Sequence, residues 1–418
     1  MRGSYPTQWK LNGADYFLLA IDRQMQAQIP PGNICRLQFK VNGQLEQSVL
    51  TQRCQQSPFF RHLLSMRLRR RFFRIPIWKS IRKSEATLNS DNCNQLRSPK
   101  SAPLRINVVD FSDNFTTIEF SWHHALMDAH GAEQLLRFIG GDTDASRFVL
   151  WPPTADREPL LKRLTAARAA REYLVASIPK KFTRMPDPPK NVVSHWHRIE
   201  FTAAETAEID EQAVAAGAGI SRSLFYLTCI SLAIDRLMLH RGVVPDSYLI
   251  PVPHDRRRKG RYGPIVANHV TFLFLHLNRE SRTSVSTAVR ELTQQLRGYM
   301  SNELGNTYAT FMNLCSHLPL WLYGKMIRGP TQGAMATFFF SDTGHSFAKM
   351  NSFMELPLVD AIHLPPNTAP PGLTFVCSRF KDALKVSVAR TDASISADEF
   401  ELFAGWLRQL LMSGKGEQ

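Results

Sequence analysis

Residues 178–191 read IPKKFTRMPDPPKN. Proline has no amide hydrogen for a helix interior or a central strand, so this stretch closes one folded body and opens another. It divides the 418-residue chain into a first lobe (1–180), a linker (181–192) and a second lobe (193–418). Strand-length and helix-length segments alternate on both sides of it. Before the linker, strands are expected at 34–41, 104–111 and 115–122. They are followed by a helix over GAEQLLRFIGG, which ends in Gly140 and Gly141, and by a longer helix over 159–178. After it, strands are expected at 194–201, 246–253, 268–277, 335–344 and across 372–390. Helices are expected at 203–216, 221–240, 284–303 and 307–327. A last helix over 396–411 starts with Ser396 ahead of Asp398 and Glu399, a good capping arrangement. The pattern predicts two α/β lobes with mixed, α+β-like sheets.

Composition removes other classes. Hydrophobic residues are 44% and charged residues 21%, which excludes a disordered chain, a collagen-like fibre or a small disulfide scaffold. No repeat of solenoid or propeller period appears. The six cysteines are scattered, without CxxC pairs or zinc-like spacing to a histidine, so free thiols and no metal site are expected. The run FLLAI near the N-terminus is too short for a signal-peptide core, and runs such as VTFLFLHL are strand-sized. A soluble, cytoplasmic protein is expected.

The chain carries 51 Lys+Arg against 36 Asp+Glu, a net charge of +15, unevenly spread. Between Glu46 and Glu85 there is no acidic residue, and the centre of that stretch, RLRRRFFRIPIWKSIRK, mixes cations with Phe72, Phe73, Ile75, Ile77 and Trp78. Three readings stay open for residues 61–83: peripheral contact with an anionic membrane at the inner face, contact with ligand phosphates, or a solvated face with hydrophobic anchors. Nucleic acid is not expected, because no DNA- or RNA-binding signature accompanies the charge. A second cluster, Arg256, Arg257, Arg258, Lys259 and Arg261, follows a strand.

Strand 115–122 runs directly into His123-His124-Ala125-Leu126-Met127-Asp128-Ala129-His130-Gly131. A strand end is where an open sheet presents groups to a ligand. With an ordinary pKa of about 6.5, His124 is suited to general-base work near neutral pH. Asp128 can pair with an arginine and lock the turn, or cap the helix that follows.

The HHxxxD sequence at a strand end resembles the CoA-dependent acyltransferase superfamily. That group includes chloramphenicol acetyltransferase, condensation domains, wax ester synthases and polyketide-associated acyltransferases. His123, His124 and Asp128 match its HHxxxDG motif; Ala129 stands at the glycine, and Gly131 follows two residues later. IPVPHDRRR resembles the strand and arginine that pair with the motif aspartate, with Arg256 the best match and Arg257 the alternative. VANHVTFLFLHL resembles the family's GN strand, with Asn268 at the asparagine and Ala267 at the glycine. FFFSDTG resembles a later segment, matching at Ser341 and Gly344.

The resemblance implies a pseudo-dimer of two lobes with a tunnel between them. His124 would be the base, His123 a supporting residue and Asp128 a structural partner of Arg256. Ser341, Thr343 and Asn268 are candidates for oxyanion or substrate contact. It implies no bound cofactor, acyl-CoA or a phosphopantetheine-linked acyl group as co-substrate, and a small or lipid-like acceptor. An acyl carrier protein is a further candidate partner, and the Arg256–Arg261 cluster is read either as attracting the phosphates of CoA or of carrier-bound phosphopantetheine or as a plain basic loop.

Overall fold

A computed structural model describes residues 5–25, 28–30, 32–71, 74–81, 96, 101–112, 114–141, 159–257, 266–329, 333–348 and 350–414. The first lobe runs β1 (Gln8–Lys10), α1 (Gly13–Met25), β2 (Ile34–Asn42), α2 (Gln47–Gln56), α3 (Pro58–Leu64), β3 (Met66–Arg71), β4 (Arg74–Ser80), β5 (Leu104–Phe111), β6 (Phe115–His123), α4 (Ala129–Gly140) and α5 (Leu160–Ser177). The second continues with β7 (His195–Glu200), α6 (Ala203–Ala215), α7 (Arg222–His240), β8 (Ser247–Asp255), β9 (Val270–Asn278), α8 (Val285–Ser301), α9 (Leu304–Cys315), α10 (Leu320–Arg328), β10 (Phe339–His345), β11 (Ser352–Phe353), β12 (Leu356–Leu364), β13 (Leu373–Phe380), β14 (Ala383–Arg390) and α11 (Ala397–Ser413). The single helix expected over 307–327 is two helices, α9 and α10, because Pro319 interrupts the ladder between them.

The first sheet has the order β11-β12-β2-β6-β5, antiparallel throughout. Its β11 and β12 come from residues 352–364, beyond the linker. The second sheet has the order β10-β13-β14-β7, and β10 runs parallel to β13. β8 and β9 pair with each other, and β1-β4-β3 form a small third sheet.

The alternation in β6 predicts a half-buried strand, yet both of its faces are covered. Ile118, Phe120 and Trp122 enter the apolar core, while Glu119 and Ser121 on the opposite face are buried too. These two residues lie opposite Gln38 and Arg36 of β2, on one face of the sheet. That face meets the second lobe: Arg36 stacks 4.1 Å over the Trp196 ring, and Arg198 donates to Gln38. Lys385 of β14 pairs with Asp360 of β12 across the same divide. Glu119 is held within it by Gln38, Ser121 and Arg105.

Two apolar cores result. One gathers Phe39, Phe120, Trp122 and Leu135, and takes in Phe347, Phe353 and Leu358 from the second half of the chain. The other surrounds α7 with Tyr248, Phe338, Phe375 and Phe403. By length and composition α7 could cross a membrane, but here it is the buried centre of that core. The basic segment 61–83 covers the end of α3 and the β3–β4 hairpin; the side chains at 70–73 and residues 82–83 lie outside the described residues. Ile77 and Trp78 are buried in it, and Arg67 turns inward to the carbonyls of Leu64 and Met66. Cys93, Arg258, Lys259 and Arg261 also lie outside the described residues.

Candidate active site

Strand β6 ends at His123, whose amide still bonds to the Pro103 carbonyl, while the His124 amide bonds to the Asn33 carbonyl at 3.0 Å. The chain then turns through Ala125 and Leu126 and enters α4 at Asp128, the N-cap, whose Oδ1 accepts the Gly131 amide at 2.8 Å. Gly131 sits at a close approach between α4 and the segment that leads into β9. A Cβ there would lie 3.1 Å from both the amide nitrogen and the carbonyl oxygen of Ala267.

The two histidines point to different neighbours. His123 is buried, and its Nδ1 accepts the Ala125 amide at 3.1 Å. Nδ1 is therefore unprotonated and Nε2 carries the hydrogen, 3.7 Å from Oδ2 of Asp22. Asp22 in turn accepts the Asn33 amide at 2.9 Å. His123 thus ties α1 to the strand end. His124 lines the cavity described below. Its Nδ1 lies 3.3 Å from the Met127 carbonyl. A carbonyl only accepts, so Nδ1 carries the hydrogen and Nε2 keeps its lone pair. Burial pulls the His124 pKa below its ordinary value, against the opposing pull of its backbone hydrogen bonds and of Asp128, so the ring is neutral at pH 7.

Asp128 meets Arg257, not Arg256. The guanidinium of Arg257 donates to both carboxylate oxygens, at 2.8 and 2.9 Å, and the His269 amide donates at 2.9 Å. Burial opposes ionisation of Asp128, but Arg257 and the amide outweigh it and hold the carboxyl below its usual range. Arg257 also donates to the Ala267 carbonyl and to Asp255. Arg256 instead donates to Asn306. The reason lies in register: β8 pairs with β9 up to Asp255 opposite Val270, and side chains alternate sides along that extended backbone.

Asn268 is a brace, not an oxyanion donor. It is fully buried, and its amide nitrogen donates to Asp15 Oδ1 (2.9 Å) and to the His124 carbonyl (2.8 Å), which uses both hydrogens. Asp15 belongs to a cap that the sequence analysis missed. Asn12 and Asp15 bond reciprocally, each side chain to the other's amide, at the start of α1. The Asn-x-x-Asp spacing ahead of the FLLAI run was the available signal. Burial pushes the Asp15 carboxyl up to about 7. Thr343 donates its hydroxyl to the Cys377 carbonyl at 3.3 Å. Ser341 lines the cavity, and its hydroxyl makes no hydrogen bond to a described residue.

His124 stands at the wall of a cavity of about 1040 Å³ between the lobes. One side is apolar: Phe17 and Ile21 of α1, Phe272 and Phe274 of β9, Phe311 of α9 and Ile327 of α10. Polar groups in the lining include His124, His130, Asp128, Asp255, Ser341, Asp342 and His363, with Arg168 and Arg171 of α5 and Lys180 just after it. His130 sits 4.0 Å from Asp255, half-exposed. No group of metal-ligating side chains occurs among the described residues.

Among solved structures, the chain is similar to a trichothecene 15-O-acetyltransferase from Fusarium sporotrichioides, with a TM-score of 0.73 at 13% identity over 99% of this chain and 97% of that one. It is also similar to the polyketide synthase associated protein 5 of Mycobacterium tuberculosis (TM-score 0.62, 14% identity, 97% and 98% covered) and to the first condensation domain of the CDA synthetase (0.64, 11%, 99% and 98%). The chain has the two-lobed fold of condensation domains and related acyltransferases. The resemblance read from the HHxxxD loop therefore holds at the level of the fold over nearly the whole chain. No family model and no curated protein matches the sequence.

Proposed function

We propose that the chain is an acyltransferase that moves an acyl group from a thioester to a hydroxyl or amine, with His124 as general base. The observation that carries this is the tautomer of His124. Its Nδ1–H is tied to the Met127 carbonyl, so a basic Nε2 remains on a residue of the cavity wall. As the acceptor oxygen or nitrogen attacks the thioester carbonyl, Nε2 takes its proton. When the tetrahedral intermediate collapses, the carbon–sulfur bond breaks and the proton passes to the leaving thiolate. No bond between enzyme and acyl group is needed. Of the three residues named for the oxyanion, Ser341 is the one with a donor available; the Thr343 hydroxyl and both Asn268 amide hydrogens are committed. The structural neighbours, a trichothecene 15-O-acetyltransferase and a condensation domain, support this reading. The donor is acyl-CoA or an acyl group on carrier-bound phosphopantetheine.

The test is thiol release over a panel of acyl-CoAs and acceptors. His124→Ala should lower kcat by about 10²–10⁴-fold. Wild-type kcat/KM should climb as pH rises through a midpoint below the ordinary histidine value of 6.5 and stay level above it, because only the neutral ring accepts a proton. Equal rates for the two proteins would end the assignment. Turnover with loaded carrier protein but not with free acyl-CoA would assign the donor to the carrier.

A further inference from the structure

Two helices bordering the cavity carry apolar side chains on the outside. On α5, Leu160, Leu161, Leu164 and Val175 are 65%, 77%, 52% and 72% exposed. At 3.6 residues per turn these four positions fall in one stripe about 100° wide, and Arg168 and Arg171 fall in the same stripe. On α10, Trp321, Leu322 and Met326 are also exposed, and Lys325 lies 5.4 Å over the Trp321 ring. The opposite sides of both helices are occupied. Ala170 of α5 and Tyr323 of α10 are buried in the first core, and Leu174 and Ile327 pack against it. An outward row of leucines is therefore not a by-product of core packing.

The charge on these helices is predominantly positive. The two helices carry Lys162, Arg163, Arg168, Arg171, Lys325 and Arg328, and within their own sequences one carboxylate, Glu172. The Arg168–Glu172 pair lies open to solvent, where such pairs contribute little. Arg168, Arg171, Val175 and Met326 are exposed and also line the cavity, so they mark where it opens.

Exposed apolar side chains interleaved with cations along a helix suit the plane of an anionic bilayer. The apolar tips enter the acyl boundary, the cation stems lie along it with their charges at the phosphates, and a tryptophan sits at the interface. We infer that the outer faces of α5 and α10 dock on an anionic lipid bilayer and set the cavity opening against it. In the basic segment 61–83 the described Ile77 and Trp78 are buried, so these two are not available for such contact. Docking also explains why so apolar a cavity lies open between cationic helices: a lipid-soluble substrate leaving the bilayer would stay out of water as it entered. The docking itself does not depend on acyl transfer.

The experiment is flotation of the full chain with vesicles of phosphatidylcholine alone and of phosphatidylcholine with phosphatidylglycerol, followed by a salt titration. Wild type should float only with the phosphatidylglycerol vesicles and be released by salt. Removing each cation should weaken binding about fivefold, so Arg171→Glu/Lys325→Glu should lose at least about 25-fold. Leu161→Glu/Trp321→Glu should lose binding as well, with its melting temperature retained because both positions are exposed. His124→Ala should float like wild type, which separates this result from the fate of the catalytic proposal. Failure of wild type to float, or equal flotation of wild type and both double variants, would overturn the inference. So would variants that float normally yet no longer capture an acidic carrier protein, since the surface would then be a protein interface.

Discussion

Asp128 directs both of its oxygens at the protein. With Arg257 on both oxygens, the His269 amide on one and its own helix amide on the other, the acceptor positions of the carboxylate are filled. Its task is to hold the loop that presents His124. Truncating Arg257 to alanine would strand a buried anion, so Arg257→Ala should cost about 3–5 kcal/mol. Arg256→Ala should cost about 1 kcal/mol or less, because it removes an exposed contact to Asn306. Urea denaturation of the two variants distinguishes them, and a reversed order would show that the ion pair is not what braces the loop. The two arginines are neighbours in sequence, and only the pairing of β8 with β9 decides which of them turns towards α4. The histidines were legible as a pair, but their division of labour was not: it rests on which backbone atom each Nδ1 faces.

Secondary structure was legible wherever periodicity was long and both ends were marked. Strands β2, β5, β6, β8 and β9 and helices α5 to α8 stand within about two residues of their expected places. Helix α1 was overlooked because eleven of its thirteen residues are buried, polar ones included, so it lacks the polar stripe of a surface helix. The β3–β4 hairpin was hidden by its cations, which read as a charged face although Arg67 points inward. Packing between elements also decides one glycine. Alanine favours helix over glycine by about 1 kcal/mol, yet Gly131→Ala should lower the melting temperature by the equivalent of about 1 kcal/mol or more. The new Cβ meets Ala267, whose carbonyl is already bound to Arg257 and cannot recede without loosening the Asp128 brace. A rise in melting temperature would mean that this backbone yields more easily than the contacts imply.

The lobes are not two beads on a string. Strand β12 leaves the second lobe, pairs with β2 from Leu358 opposite Val41 to Leu364 opposite Arg36, and completes the first sheet. Residues 308–358 supply Tyr308, Tyr323, Phe347 and Phe353 to the first core. Residues 1–192 expressed alone should therefore not fold, because β2 would be a bare edge and the core would lack one wall. Circular dichroism showing cooperative melting of that fragment would contradict this. Local order determined a good deal by itself: alternating strands and helices in two runs, a proline-rich divide, and a histidine at a strand end followed by a helix cap. Those features depend on residues a few positions apart, where periodicity and capping act. The partner of Asp128, the bracing of His124 by Asn268 and Asp15, the return of β12 and the apolar helices at the cavity opening join residues far apart in the chain. Long-range pairing and packing set such contacts, and no local pattern encodes which distant side chain will arrive, so only the tertiary structure could decide them.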